Sequence, residues 1–80
     1  MDKDLARHVV GVGFHSLSLL ESLIPILKQH CDPDEYAKYL KAIGAVSADV
    51  ASQLFSEVFR EHPELEREVE EKIRKYGQFV

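Results

Sequence analysis

Apolar residues recur through the first third of the chain at Ala6, Val10, Gly13, Leu17, Leu20, Ile24 and Leu27, an unbroken alternation of four- and three-residue steps. That period belongs to an α-helix, because side chains on a strand alternate every two residues. Leu5, Val9, Val12, Leu19, Leu23 and Ile26 widen the stripe. Projected around a helix, the apolar side chains cover an arc of about 200°, whereas a helix with one core-facing side needs little more than about 100°. The spacing therefore predicts a first helix over about 3–30 with two buried faces.

A second stripe follows at Tyr36, Tyr39, Leu40, Ile43, Val46, Val50, Leu54 and Val58. Beside it lies a flank of small residues, Ala37, Gly44, Ala48 and Ala51, continued by Phe55 and Phe59. This helix is expected over about 33–60, with the small flank permitting close approach of a neighbouring helix. A third, shorter pattern uses Leu65, Val69, Ile73 and Tyr76, with Phe79 and Val80 trailing, and predicts a helix over about 63–76. Its outer side is solvated and carries acid–base pairs four residues apart, such as Glu68 with Lys72.

The junctions carry their own signals. Asp32 is placed to cap the second helix, Pro33 suits its first position, and Glu35 follows at the spacing of a capping box. Pro63 opens the third helix and disfavours helical geometry at His62. Gly77, after Arg74 and Lys75, is placed to end it. Pro25 lies on the polar side of the first helix, where its missing N–H and its ring predict a bend that frees the Glu21 carbonyl. Gly44 offers an alternative break, with Ser47 capping a new helix in the outline of a helix-turn-helix. The stripe runs in phase across it, which favours a continuous helix.

Composition narrows the class. The chain has 80 residues, 45% of them apolar and 30% charged, which excludes a disordered segment. One cysteine excludes an intrachain disulfide. The formal net charge is −4, and no segment has the basic excess that nucleic-acid binding requires. A membrane span over Val9–Leu27 is not expected, since it would place Glu21 and His15 in lipid. A signal peptide is not expected either, because Asp2 and Asp4 dilute the positive charge near the start. The expectation is a cytoplasmic protein.

The candidate chemistry is sparse. Asp4 and His8 are spaced to share one ion, but His15 lies about 10 Å further along the helix and Cys31 near its other end, so no metal site or cofactor is expected. Cys31 next to Asp32 lacks the electropositive setting of a reactive thiol. His30 beside it completes no catalytic set, and no enzymatic activity is expected. Gly11 and Gly13 sit inside a helical pattern and form no phosphate loop.

The fold expected is all-α: a long antiparallel helical hairpin plus a shorter third helix, forming a single helical domain over residues 1–80. At 1.5 Å per residue the two long helices span roughly 40 Å each and the third about 20 Å, too short to cover the groove between them. Completion as a dimeric bundle follows, since monomers rarely leave such strips exposed. The function expected is a small non-catalytic interaction module that pairs with itself and with another protein. Val10, Gly13, Phe14, Leu17 and Leu20 are the candidate interface residues, with Phe14 as an aromatic anchor on the polar edge of the arc. The alternative is a bundle that holds an apolar or lipid-like ligand between its helices.

Overall fold

A computed structural model describes residues 1–79; Val80, the last of the trailing apolar residues, lies outside the described residues. The architecture is all-α, and among the described residues there is no strand. Helices α1 (Lys3–Glu21) and α2 (Leu23–His30) form a first rod. Helix α3 (Pro33–Asp49), a π-helical stretch (Val50–Phe55) and α4 (Ser56–Glu61) form a second. Helix α5 (Pro63–Tyr76) is the third.

The rod ends follow from local chemistry. Asp2 accepts a hydrogen bond from the Leu5 N–H at 2.8 Å, and Asp32 accepts one from the Glu35 N–H at 2.9 Å. Each satisfies a donor that the first helical turn leaves unpaired. Gly77 adopts φ 76°, a left-handed conformation that glycine takes without a Cβ clash, and its N–H closes onto the Ile73 carbonyl at 2.8 Å. Within the first rod, Ser22 alone separates α1 from α2. Pro25 cannot donate to Glu21, and its ring crowds that carbonyl, so the helix breaks one residue later and resumes. The Ser22 hydroxyl donates to the Leu19 carbonyl at 2.5 Å on the turn just before the break.

The second rod passes through Gly44 without interruption, so no helix-turn-helix forms there. The small-residue flank is solvent-exposed: Ala37, Gly44, Ala48 and Ala51 all face outward, and no atom approaches within 4 Å of a Cβ built on Gly44. No helix uses it for close approach. The rod instead changes pitch over Val50–Phe55, where Ser56 reaches back to the Ala51 carbonyl through both its N–H and its hydroxyl. A π-helical stretch has more residues per turn than an α-helix and shifts the phase of the side chains within it. The expected stripe is displaced there, with Phe55 buried and Leu54 exposed, whereas Val58 beyond it is buried as expected and Val50 packs against the core.

The buried core is small and lies at one end. Ala6 and Val10 from α1, Phe55 and Val58 from the second rod, and Leu65 and Val69 from α5 compose it. Helices α2 and α3 contribute no fully buried side chain. The radius of gyration is 14.8 Å, above the about 11.6 Å expected of a compact chain of this length.

Candidate functional site

At the cored end, side chains of the second rod pack directly over Gly13 of the first. The Phe55 ring covers it so tightly that a Cβ built at residue 13 would lie 2.4 Å from Phe55 Cε1. An aromatic ring, rather than a neighbouring backbone, fills the space left by the missing side chain. Phe14 stacks on Phe55 with ring centroids 4.7 Å apart and on Phe79 at 5.8 Å, while Phe55 leans on Phe59 at 6.1 Å. All four phenylalanines of the chain thus join one ladder.

This fixes the placement of the expected interface residues. Val10 and Gly13 are buried within the chain's own core. Phe14 and Leu17 are half-buried and pack against that core, and Leu20 is half-buried further along. Phe14 is therefore no isolated anchor projecting into solvent. Its place beside Gly13 lets it join the Phe55 ring.

A semi-open crevice of about 330 Å³ runs beside the ladder, between the middle of α1 and the residues after α5. Its apolar wall is Phe14, Leu17, Ile73 and Phe79, and its polar wall is His15, Ser18 and Glu21. Lys72 lies 5.3 Å from the centre of the Phe79 ring, in cation–π range.

The opposite edge of the first rod is the larger feature. Leu5, Val9, Val12, Ser16, Leu19, Leu23 and Ile26 follow the same four-and-three spacing as the inward stripe, offset by one residue. Only Ser16 interrupts the apolar line. Val9 is half-buried, whereas Val12 is 50% exposed, Leu19 57% and Ile26 55%. The two stripes are the two faces implied by the wide arc: the chain covers one and leaves the other in solvent. Reading Leu5 to Ile26 as mere width, rather than as a second heptad-spaced line, hides this in the sequence. By length and composition alone Lys3–His30 is also apolar enough to cross a bilayer, with 11% of its most apolar window buried.

Polar contacts fasten the start of the first rod to the junction of the other two. The Met1 ammonium pairs with Glu61. The His62 ring nitrogens face two acceptors, the Met1 carbonyl at 2.9 Å and Glu64 at 3.3 Å. Arg7 Nε donates to both oxygens of Glu68, at 3.1 and 3.3 Å, and its terminal nitrogen to Asp4 at 2.9 Å. Glu68 is thus engaged across the rods by Arg7. Hydrogen bonding to Glu61 holds the Met1 ammonium above its ordinary value, and the same contact holds Glu61 below the usual carboxylate range.

The remaining candidates stand apart. His8, His15 and His30 are exposed. Cys31 is half-buried; burial first, and then the carboxylates of Glu35 and Asp32, push its thiol up. Among the described residues no three His, Cys, Asp or Glu side chains gather in a way that would hold a metal ion. Compared with protein-family models, with curated proteins and with solved structures, the chain matches none.

Proposed function

We propose that the chain is a small, non-catalytic helical interaction module that works as a homodimer, its two long rods forming an antiparallel hairpin that a second copy completes into a bundle. One observation carries this reading. The chain exposes 5917 Å², whereas a monomeric protein of 9.1 kDa exposes about 4,900 Å². The excess, about 1,000 Å² per chain, is close to the roughly 800 Å² that each partner covers in a standard interface. The half of the molecule built from α2 and α3, which buries no side chain fully, is where a partner's contribution to the core is most needed.

The module presents helical surface first to itself and then, as a dimer, to another protein. A raised Cys31 thiol and the scattered histidines favour binding over catalysis, since a nucleophile needs a lowered pKa and a base beside it. The acidic net charge favours a protein partner over nucleic acid, and a cytoplasmic location goes with that reading.

The crevice beside Phe14 and Phe79 supports a second reading, an apolar ligand between helices, because its volume reaches the lower end of small-molecule sites. Native mass spectrometry of the 80-residue chain separates the two. A mass of two chains supports the module. A single chain carrying an extra few hundred daltons supports the ligand, and a bare single chain at micromolar concentration overturns both.

A further inference from the structure

Resting on the homodimer reading, we infer that the surface by which this chain meets its second copy is the outer line Leu5–Val9–Val12–Leu19–Leu23–Ile26, exposed at every one of these positions but the half-buried Val9, seam against seam, and not the inward stripe at Val10, Gly13 and Leu17. The inward stripe is spent: Ala6 and Val10 have no solvent exposure, and Gly13 lies under Phe55. The outer line spans 22 residues, about 32 Å of helix. Its positions keep the heptad spacing throughout, which is the spacing that lets the knobs of one helix enter the holes of another.

Three features favour a second copy over a different occupant. A heptad-spaced seam is complementary to itself, as an isologous two-fold interface requires, and the break at Ser22 is the same in both copies. From Leu5 to Ile26 the seam carries no charged residue, and the positions along its outer edge are His8, His15, Ser22 and Gln29. Two copies can therefore close on one another without bringing like charges together, while a dissimilar charged partner finds nothing to pair with. Finally, the excess exposed area per chain, about 1,000 Å², suits one standard interface rather than several. A bilayer is a poorer match, because an interfacial helix draws on a Lys/Arg-rich polar face and this rod has only Lys3, Arg7 and Lys28. Arg7 is moreover engaged by Glu68 and Asp4.

The test is sedimentation equilibrium on the whole chain and three variants. Leu19→Asp and Val12→Asp place a carboxylate on the seam at side chains that contribute little to the chain's own core. Ala48→Asp places one on the exposed small-residue stripe. The expected result is dimeric wild type and dimeric Ala48→Asp, with the two seam variants at least about 30-fold weaker in self-association, as for an interface hot spot. Melting temperature should rise with protein concentration for wild type and Ala48→Asp, which keeps the test readable if the isolated monomer is too weak to fold.

Dimerisation that survives both seam variants, or that Ala48→Asp abolishes instead, overturns this surface while leaving the homodimer reading intact. A wild type that stays monomeric at about 100 µM, well above typical Kd values, defeats the homodimer reading itself. A monomeric wild type that floats with phosphatidylcholine vesicles while Leu19→Asp stays behind shows that lipid covers the seam, and overturns the proposal as well.

Discussion

The Phe55 ring occupies the space that any side chain at residue 13 would need: its Cε1 and Cζ atoms lie 2.4 and 2.9 Å from the position of a Gly13 Cβ. Phe55 cannot easily retreat, because Phe14 and Phe59 hold it on two sides. Gly13→Ala should therefore destabilise the fold by up to about 2 kcal/mol, since overpacking of this kind costs about 1–3 kcal/mol against a helix-propensity gain of about 1 kcal/mol. Gly11→Ala, two residues away with nothing within 4 Å, should show only the gain. Urea denaturation of the pair reads the two opposite signs. Equal stabilisation of both would mean that Phe55 does not pin residue 13.

The Gly13–Phe55 contact marks the limit of what the chain's pattern discloses. Rod ends are legible because they depend on neighbours in sequence: Asp32 with Glu35, Pro63 after His62, and Gly77 after the Lys/Arg-bearing last turn. The inward stripe of the first rod is legible for the same reason, since its period is local. What the pattern hides is the phase of the second rod. Stepping 3.6 residues per turn from Ile43 puts Leu54 inward and Phe55 on the flank, but the π-helical stretch at Val50–Phe55 reverses them. No single residue there announces a change of pitch. It coincides with the packing of a ring against Gly13, a relation between residues more than forty positions apart. The ring stacking of Phe14 is hidden for the same reason, because its partners Phe55 and Phe79 are distant in sequence.

Pro25 offers a test of the break in the first rod. The side chain is exposed, so the cost of proline here is confined to the helix: a missing donor for Glu21 and the crowding of its carbonyl. Pro25→Ala should join α1 and α2 and raise the helical signal in far-ultraviolet circular dichroism. Stability should increase by about 1–2 kcal/mol, the propensity gain of up to about 3 kcal/mol being reduced by greater freedom of the unfolded chain and by repacking. A loss of stability would mean that the bend is what seats α2 against α3.

Two groups set the alkaline limb of stability. The Met1 ammonium is held above its ordinary value of 8.0, chiefly by its hydrogen bond to Glu61. A raised folded-state value contributes stability that is complete below the unfolded value and is lost as pH climbs through the folded one. The Cys31 thiol is also raised, chiefly by burial, from an ordinary 9.0, and its contribution is lost in the same direction. Glu61 is lowered by the same ammonium, so its contribution is present above its ordinary value of 4.5 and is lost as pH falls through the depressed one. For the 80-residue chain, melting temperature should thus fall from about pH 8 upward, and separately below about pH 4.5. Acetylating the amino terminus should remove one part of the alkaline fall and Cys31→Ser the other. An alkaline limb unchanged by both modifications would show that neither group is tied to the fold.

The aromatic ladder ties Phe79, beyond the end of α5, to the first rod. Phe79 follows the end of α5 and packs against the core; the Phe14 ring stacks on it at 5.8 Å and 12°, and the Lys72 ammonium lies over its face. Phe14 in turn is clamped between Phe79 and Phe55, with the Phe55 stack the closer of the two. Stacked pairs contribute about 0.5–1.5 kcal/mol beyond the area they bury. A double-mutant cycle with Phe14→Leu and Phe79→Leu keeps both positions apolar and isolates that ring–ring contribution, so the coupling should fall in this range. Phe14→Leu alone should cost more than Phe79→Leu alone, because it also breaks the stack with Phe55, whose ring must then shift over Gly13. In hydrogen exchange, either variant should expose the amide of Gly77, bonded to the Ile73 carbonyl at 2.8 Å, without altering those at Val58 and Leu65. Independent effects of the two substitutions, with coupling below about 0.3 kcal/mol, would mean that Phe79 packs on the bundle without Phe14's help.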